Sequence, residues 1–172
     1  MKLKTALLFV LLGSASAVAQ VAEQATPAAD IHVMEGFKVE LLYSVPRAEG
    51  SWIAMCFDDQ GRIYAVEQGR RLFRITLGEE GAAPSVELIS DEWASGSQGM
   101  TFINKQLYIV RNGNHHKDKY VADSLVRVRD TDNDDKLDTL EHLCDFPSVP
   151  GEQPSWTEHA LHAPVLSPDG KS

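Results

Sequence analysis

Cysteine is scarce. Two cysteines in 172 residues cannot build the disulfide framework that staples small secreted domains. Both lie in apolar stretches, IAMCFD and EHLCDF, which favours free thiols packed as small hydrophobes. A Cys56–Cys144 bridge stays open, because sequence does not set a Cα separation. Neither begins a C-x-x-C or C-x-x-C-H run, so no haem is expected on these residues. Positive charge is scarce too. The formal net charge is −9, and the nearest thing to a basic cluster is the pair Arg70-Arg71. That excludes nucleic acid as a partner, since phosphate binding needs a concentrated positive face. No apolar run is long enough to span a bilayer. The glycine fingerprint of a Rossmann unit, a P-loop and an H-E-x-x-H pair are all absent. A dehydrogenase built from this chain would therefore not use the usual nicotinamide fold.

The first residues read as a targeting segment. Lys2 and Lys4 give a basic start, Ala6 to Leu12 a short apolar core, and Ala17-Val18-Ala19 a small-x-small cleavage site. Residues 1–19 are thus expected to be a signal peptide and the protein to be exported, periplasmic or extracellular. No cysteine near the cut supports a lipid anchor, and membrane association stays open. Residues 20–35, polar and alanine-rich, read as a linker.

From Gly36 onward the pattern is that of strands. FKVELLYSV alternates apolar and polar residues and is expected to be a strand. WIAMCFD, RIYAVEQ, RLFRITL and VELIS follow as a four-stranded meander, with turns at Asp59-Gln60-Gly61 and Gly69. The pattern then returns. GMTFINKQLYIVRN repeats AMCFDDQGRIYAVEQ with Tyr108 in the place of Tyr64, SLVRVRD repeats RLFRITL, and EHLCDF repeats VELIS. A third copy opens at HAPVLSPDGKS. Four short antiparallel strands per repeat is the content of a propeller blade. The expected fold is all-β, a partial β-propeller of about two to three blades over residues 36–172. An antiparallel sandwich is the competing architecture. A propeller closes with four or more blades, so the chain is expected to be the N-terminal part of a longer protein. A short chain that closes by pairing with other copies is the alternative.

Two clusters could carry chemistry. DTDNDDKLDTLE, residues 130–141, has the ligand spacing of a calcium-wrapping loop. The expected ligands are the carboxylates of Asp130, Asp132 and Asp134, the backbone carbonyl of Lys136, and Asp138 and Glu141. Asp135 stands where such loops usually place Gly to reach a left-handed turn, which Asp tolerates better than most residues. An all-oxygen shell with no open position points to a structural ion. The second cluster is TEHALHA, with Glu158, His159 and His162 just before an expected innermost strand. Neutral imidazole there can act as a general base or bind a metal, though idle surface histidines are common. His115-His116, in the polar stretch NGNHHKDK, carries weaker support for a role.

The order GFKVELLYSVP, GSWIAMCFDDQGRIYAVEQGRRLFRIT, SQGM, LYIVRNG, LVRVRDTDNDD and EHALHAPVLSPDGKS resembles the N-terminal propeller of the PVC-type haem-binding, membrane-bound dehydrogenase-like proteins, relatives of the glucose/sorbosone dehydrogenases. The resemblance implies an exported propeller that oxidises a sugar or polyol and passes electrons to a quinone or haem-linked acceptor. It implies pyrroloquinoline quinone as cofactor, haem c only in a further C-terminal region, and His159 or His162 as the base. The family usually has Glu-His-Gly-Pro-His, where this chain has Ala160 and Leu161 between the histidines. A non-catalytic, calcium-stabilised propeller that binds a glycan or protein is the alternative function.

Overall fold

A computed structural model describes residues 25–79, 81–112, 115–116, 119–120, 123–146, 161–162 and 164–170. The signal-peptide expectation falls outside these residues. Described helix is limited to two short 3-10 turns, Ala28–Asp30 and Arg47–Glu49. No helix among the described residues is long and apolar enough to cross a membrane.

Eight strands form two antiparallel sheets. The first is β1 (Trp52–Phe57), β2 (Ile63–Glu67), β3 (Leu72–Thr76) and β4 (Ser85–Ser90), paired in chain order. In the second, β5 (Gly99–Ile103) pairs with β6 (Gln106–Arg111). A two-stranded ribbon, β7 (His115–His116) and β8 (Lys119–Tyr120), interrupts the chain. β9 (Asp123–Arg129) then joins β6, and β10 (Thr139–Phe146) closes the sheet. Both meanders thus follow the repeats in the sequence. Strict alternation along β9, where every second residue is buried, shows why period-2 patterning located these strands.

The sheets stack face to face with β1 beside β5. Tyr64, Val66 and Leu72 of the first sheet meet Met100, Leu107, Ile109, Val126 and Val128 of the second in one buried cluster. The Tyr64 and Phe102 rings stack at 5.6 Å. The two sheets use opposite faces for this contact. Register places Tyr64 opposite Arg74 and Arg74 opposite Glu87. The second sheet repeats the row, with Tyr108 opposite Arg127 and Arg127 opposite Glu141. An ion pair closes each row, Arg74–Glu87 at 2.7 Å and Arg127–Glu141 at 2.6 Å. The first row lies on the face that meets the second sheet. The second row lies on the face turned away from the first sheet. The repeat is therefore stacked head to tail.

Two expectations need correction, and a third in part. FKVELLYSV forms no strand: residues 37–45 have no ladder partner among the described residues, and alternation alone does not satisfy backbone groups. Phe37, Leu41 and Leu42 are exposed, while Tyr43 stacks on Trp52 at 5.6 Å and donates to Glu49. The start of the third copy shows its turn, closed from Gly170 N to Ser167 O, but no strand over residues 164–170. Both cysteines are free, as favoured, but only Cys56 is partly buried, so the packing expected for Cys144 is not met. Cys56 lies on β1 beside the other sheet, whereas Cys144 lies on the exposed outer strand β10. Among the described residues the two four-stranded sheets do not close into a ring.

Candidate functional site

The acidic loop connects β9 to β10 and folds around its own carboxylates. Asp130 accepts from the backbone N–H of Asn133 at 2.7 Å and of Asp135 at 2.9 Å. Asp134 accepts from the N–H of Lys136 at 2.9 Å. Asp138 reaches back to accept from the N–H and hydroxyl of Thr131. These bonds consume donors that a loop cannot pair in a ladder, which is why Asp and Asn dominate it. The loop needs left-handed backbone at Asn133 (φ 61°) and Asp135 (φ 69°). The expectation of a left-handed turn at Asp135 is met.

Of the six expected ligand residues, the fold brings together Asp130, Asp132 and Asp138, each with a carboxylate oxygen within 4.8 Å of the others. Asp134 turns toward Lys136 instead, with Nζ at 3.8 Å. Glu141 sits on β10 and pairs with Arg127 at 2.6 Å and Arg129 at 3.3 Å. A hydrogen bond from Arg127 holds its carboxyl below the ordinary glutamate value. The hydroxyl of Thr139 and the N–H of Thr131 do the same for Asp138. The gathered donors are hard oxygens, the chemistry that suits calcium.

Sequence reasoning missed how this loop is fastened. Asp58, at the β1–β2 turn, is buried and accepts from the N–H groups of Gln60 and Arg62 and from Arg62 Nε at 2.6 Å. Arg62 then extends to Asp135 of the acidic loop at 2.5 Å. Arg74 donates to the Asp135 carbonyl. The hydrogen bond from Arg62 lowers the Asp135 carboxyl below its ordinary value. The usual Gly at this position could not have made that pair. Both arginines were visible in the sequence, but only the stacking of the sheets shows what they reach. Between the turn and the loop lies a cleft of about 210 Å³, with Gln60, Arg62, Tyr64, Lys105, Asp130 and Asn133 on its walls.

His159 and Glu158 lie outside the described residues. His162 is exposed. His115 and His116 form β7, paired with β8. The Cys56 thiol is pushed up to about 12 by burial and, to a smaller extent, by Asp58, which disfavours the thiolate form.

Comparison with known proteins identifies no relative: no family model matches, and neither the curated proteins nor the solved structures contain a match.

Proposed function

We propose that this chain supplies blades of an exported β-propeller of the glucose/sorbosone dehydrogenase type, which oxidises a sugar or polyol with a quinone or haem-linked acceptor. The observation that carries the reading is the head-to-tail stacking of two equivalent four-stranded meanders with β1 and β5 side by side. Propeller blades repeat in this way, whereas the two sheets of a sandwich need not be equivalent. The family-like residue order adds the reaction class. In this reading Asp130, Asp132 and Asp138 hold a structural calcium ion, which Asp134 and the Lys136 carbonyl join on loading. His159 or His162 takes the proton of the substrate hydroxyl. Pyrroloquinoline quinone, when bound, would supply the hydride acceptor.

A second reading is a calcium-stabilised propeller that binds a glycan or protein without catalysis. The exposure of His162 favours it, because a general base works in a site that excludes water. Dye-linked oxidation of a panel of aldoses and polyols by the full-length protein that contains this chain, with quinone and calcium added, separates the two; the chain alone is expected to be inactive. The dehydrogenase reading predicts quinone-dependent turnover that falls by about 100-fold or more in His159→Ala or His162→Ala. Turnover unchanged in both variants removes the base assignment. No turnover with any sugar, alongside retained binding to one of them, leaves the second reading.

A further inference from the structure

Each position of one repeat has a counterpart in the other. Glu67 and Arg111 end the second strand of their sheets at matching places, VEQ in the first and VRN in the second. Glu67 is satisfied within the fold. Its carboxylate accepts from the Gly69 N–H at 2.9 Å and pairs with Arg71 Nε at 3.1 Å. Arg71 precedes β3, and its counterpart, opposite Arg111, is Ser124. The second repeat has thus reversed one charge of the pair and lost the other. A carboxylate is the fitting partner for Arg111, and none pairs with it among the described residues.

Arg111 is half-buried, and its Nε is fully buried without an acceptor. Its two Nη groups have no acceptor among the described residues and are not buried, so they meet solvent. Burial pulls its pKa below the ordinary arginine value, and no neighbouring carboxylate opposes that. Asp91 and Glu92, in the connection from β4 to β5, are exposed and do not pair with it. Arg129 differs: its Nε also lacks an acceptor, but its Nη2 reaches Glu141 at 3.3 Å. Half-burying a cation without a counter-charge costs free energy that an arriving anion would offset.

The side chain also stands on a fixed base. β6 is held between β5 and β9. Just past Arg111, the Asn112 N–H donates to the Ser95 carbonyl at 3.1 Å, and the Ser95 hydroxyl donates to the Asn112 carbonyl at 3.2 Å. Ser95 takes a left-handed φ of 45°, uncommon for a residue other than glycine. Next to it, the Ala94 N–H donates at 2.8 Å to the carbonyl of Arg70, a second and exposed arginine at this end of the sheets.

We propose that Arg111 anchors a binding site for the carboxylate of a small organic acid, at the end of the sheets where the Ser95–Gly96 turn lies. A guanidinium presents paired donors that match the two oxygens of a carboxylate. A chain of formal net charge −9 favours a monoanion over a phosphate. The proposal rests on the repeat and not on the dehydrogenase reading.

The test is a nuclear magnetic resonance titration of the full chain with acetate, with acetamide as the neutral isostere and chloride holding ionic strength constant. Acetate should move the Arg111 guanidinium resonances saturably and leave those of the exposed Arg47 in place, and acetamide should move neither. Arg111→Gln should weaken acetate binding, followed at the Asn112 and Ser124 amides, by about tenfold or more. The same variant, without acetate, should melt no earlier than the wild type, because it removes a half-buried cation that nothing in the fold offsets. Arg111 resonances that acetate leaves unmoved overturn the proposal. So do equal movement by acetamide, tighter binding of inorganic phosphate than of acetate, or undiminished binding to Arg111→Gln. A glutamine variant that melts earlier or fails to fold also overturns it, because the arginine would then be holding the fold.

Discussion

Asp58 and Asp135 are both acidic residues in turns, and both bind Arg62, yet they should differ greatly in energy. The Asp58 side chain is fully buried and satisfies three donors, whereas the Asp135 side chain is 57% exposed. Replacing Asp58 with Ala strands the mostly buried Arg62 and is expected to cost about 3 kcal/mol in urea unfolding. Asp135→Asn keeps a side chain that tolerates positive φ and removes only an exposed charge, so the expected loss is at most about 1 kcal/mol. Equal effects would mean that the loop contact, rather than the turn, fixes Arg62. The pH dependence has a defined sign. Asp135, Asp138 and Glu141 have lowered pKa values, set first by hydrogen bonds from Arg62, Thr139 and Arg127 respectively. Glu67 is also lowered: burial pushes it up, but Arg71 and the Gly69 N–H pull it down further. The native state therefore binds fewer protons than the unfolded chain. Their stabilisation is complete above the ordinary values, 3.8 for Asp and 4.5 for Glu, and is lost as pH falls through the native ones. Melting temperature should be level from pH 7 to about 5 and drop below that. A profile that stays flat to pH 3 would contradict these assignments.

At the scale of elements, the strands were legible because their chemistry is local. Alternation located β1 to β6, β9 and β10, and Asp59-Gln60-Gly61 marked the first turn, where Gly61 adopts φ 78°. What alternation cannot show is whether a partner strand exists. FKVELLYSV has the right pattern, but nothing among the described residues pairs with it. The acidic loop was legible in its spacing and its left-handed turn. The diversion of Glu141 to Arg127 was not, because it depends on the cross-strand register of β9 and β10. Equivalent positions in the two repeats should respond differently to truncation. Met100→Ala opens a cavity between the sheets and is expected to cost about 2–5 kcal/mol. Met55→Ala, where the side chain is 66% exposed, should change stability by no more than about 0.5 kcal/mol. Similar losses at both positions in denaturant titrations would contradict the exposure of Met55.

For the whole molecule, what matters is how one sheet is tied to the next. The apolar cluster between the sheets supplies most of the attraction, but it is not directional. Direction comes from the acidic loop of the second sheet, which grips Arg62 and Arg74 of the first through Asp135. Both functional readings assign this loop a calcium ion as scaffold, with Asp130, Asp132 and Asp138 already gathered. The loop carries its negative charge in a small volume, so a divalent cation would relieve repulsion and stiffen the junction. Thermal unfolding with and without calcium measures this most directly. At calcium about 100-fold above its dissociation constant the gain is about 2.7 kcal/mol, and the melting temperature should rise by several degrees. Asp132→Asn should abolish most of that rise without moving the melting temperature of the chelated protein. The same melting temperature in millimolar calcium and in chelator would contradict the account.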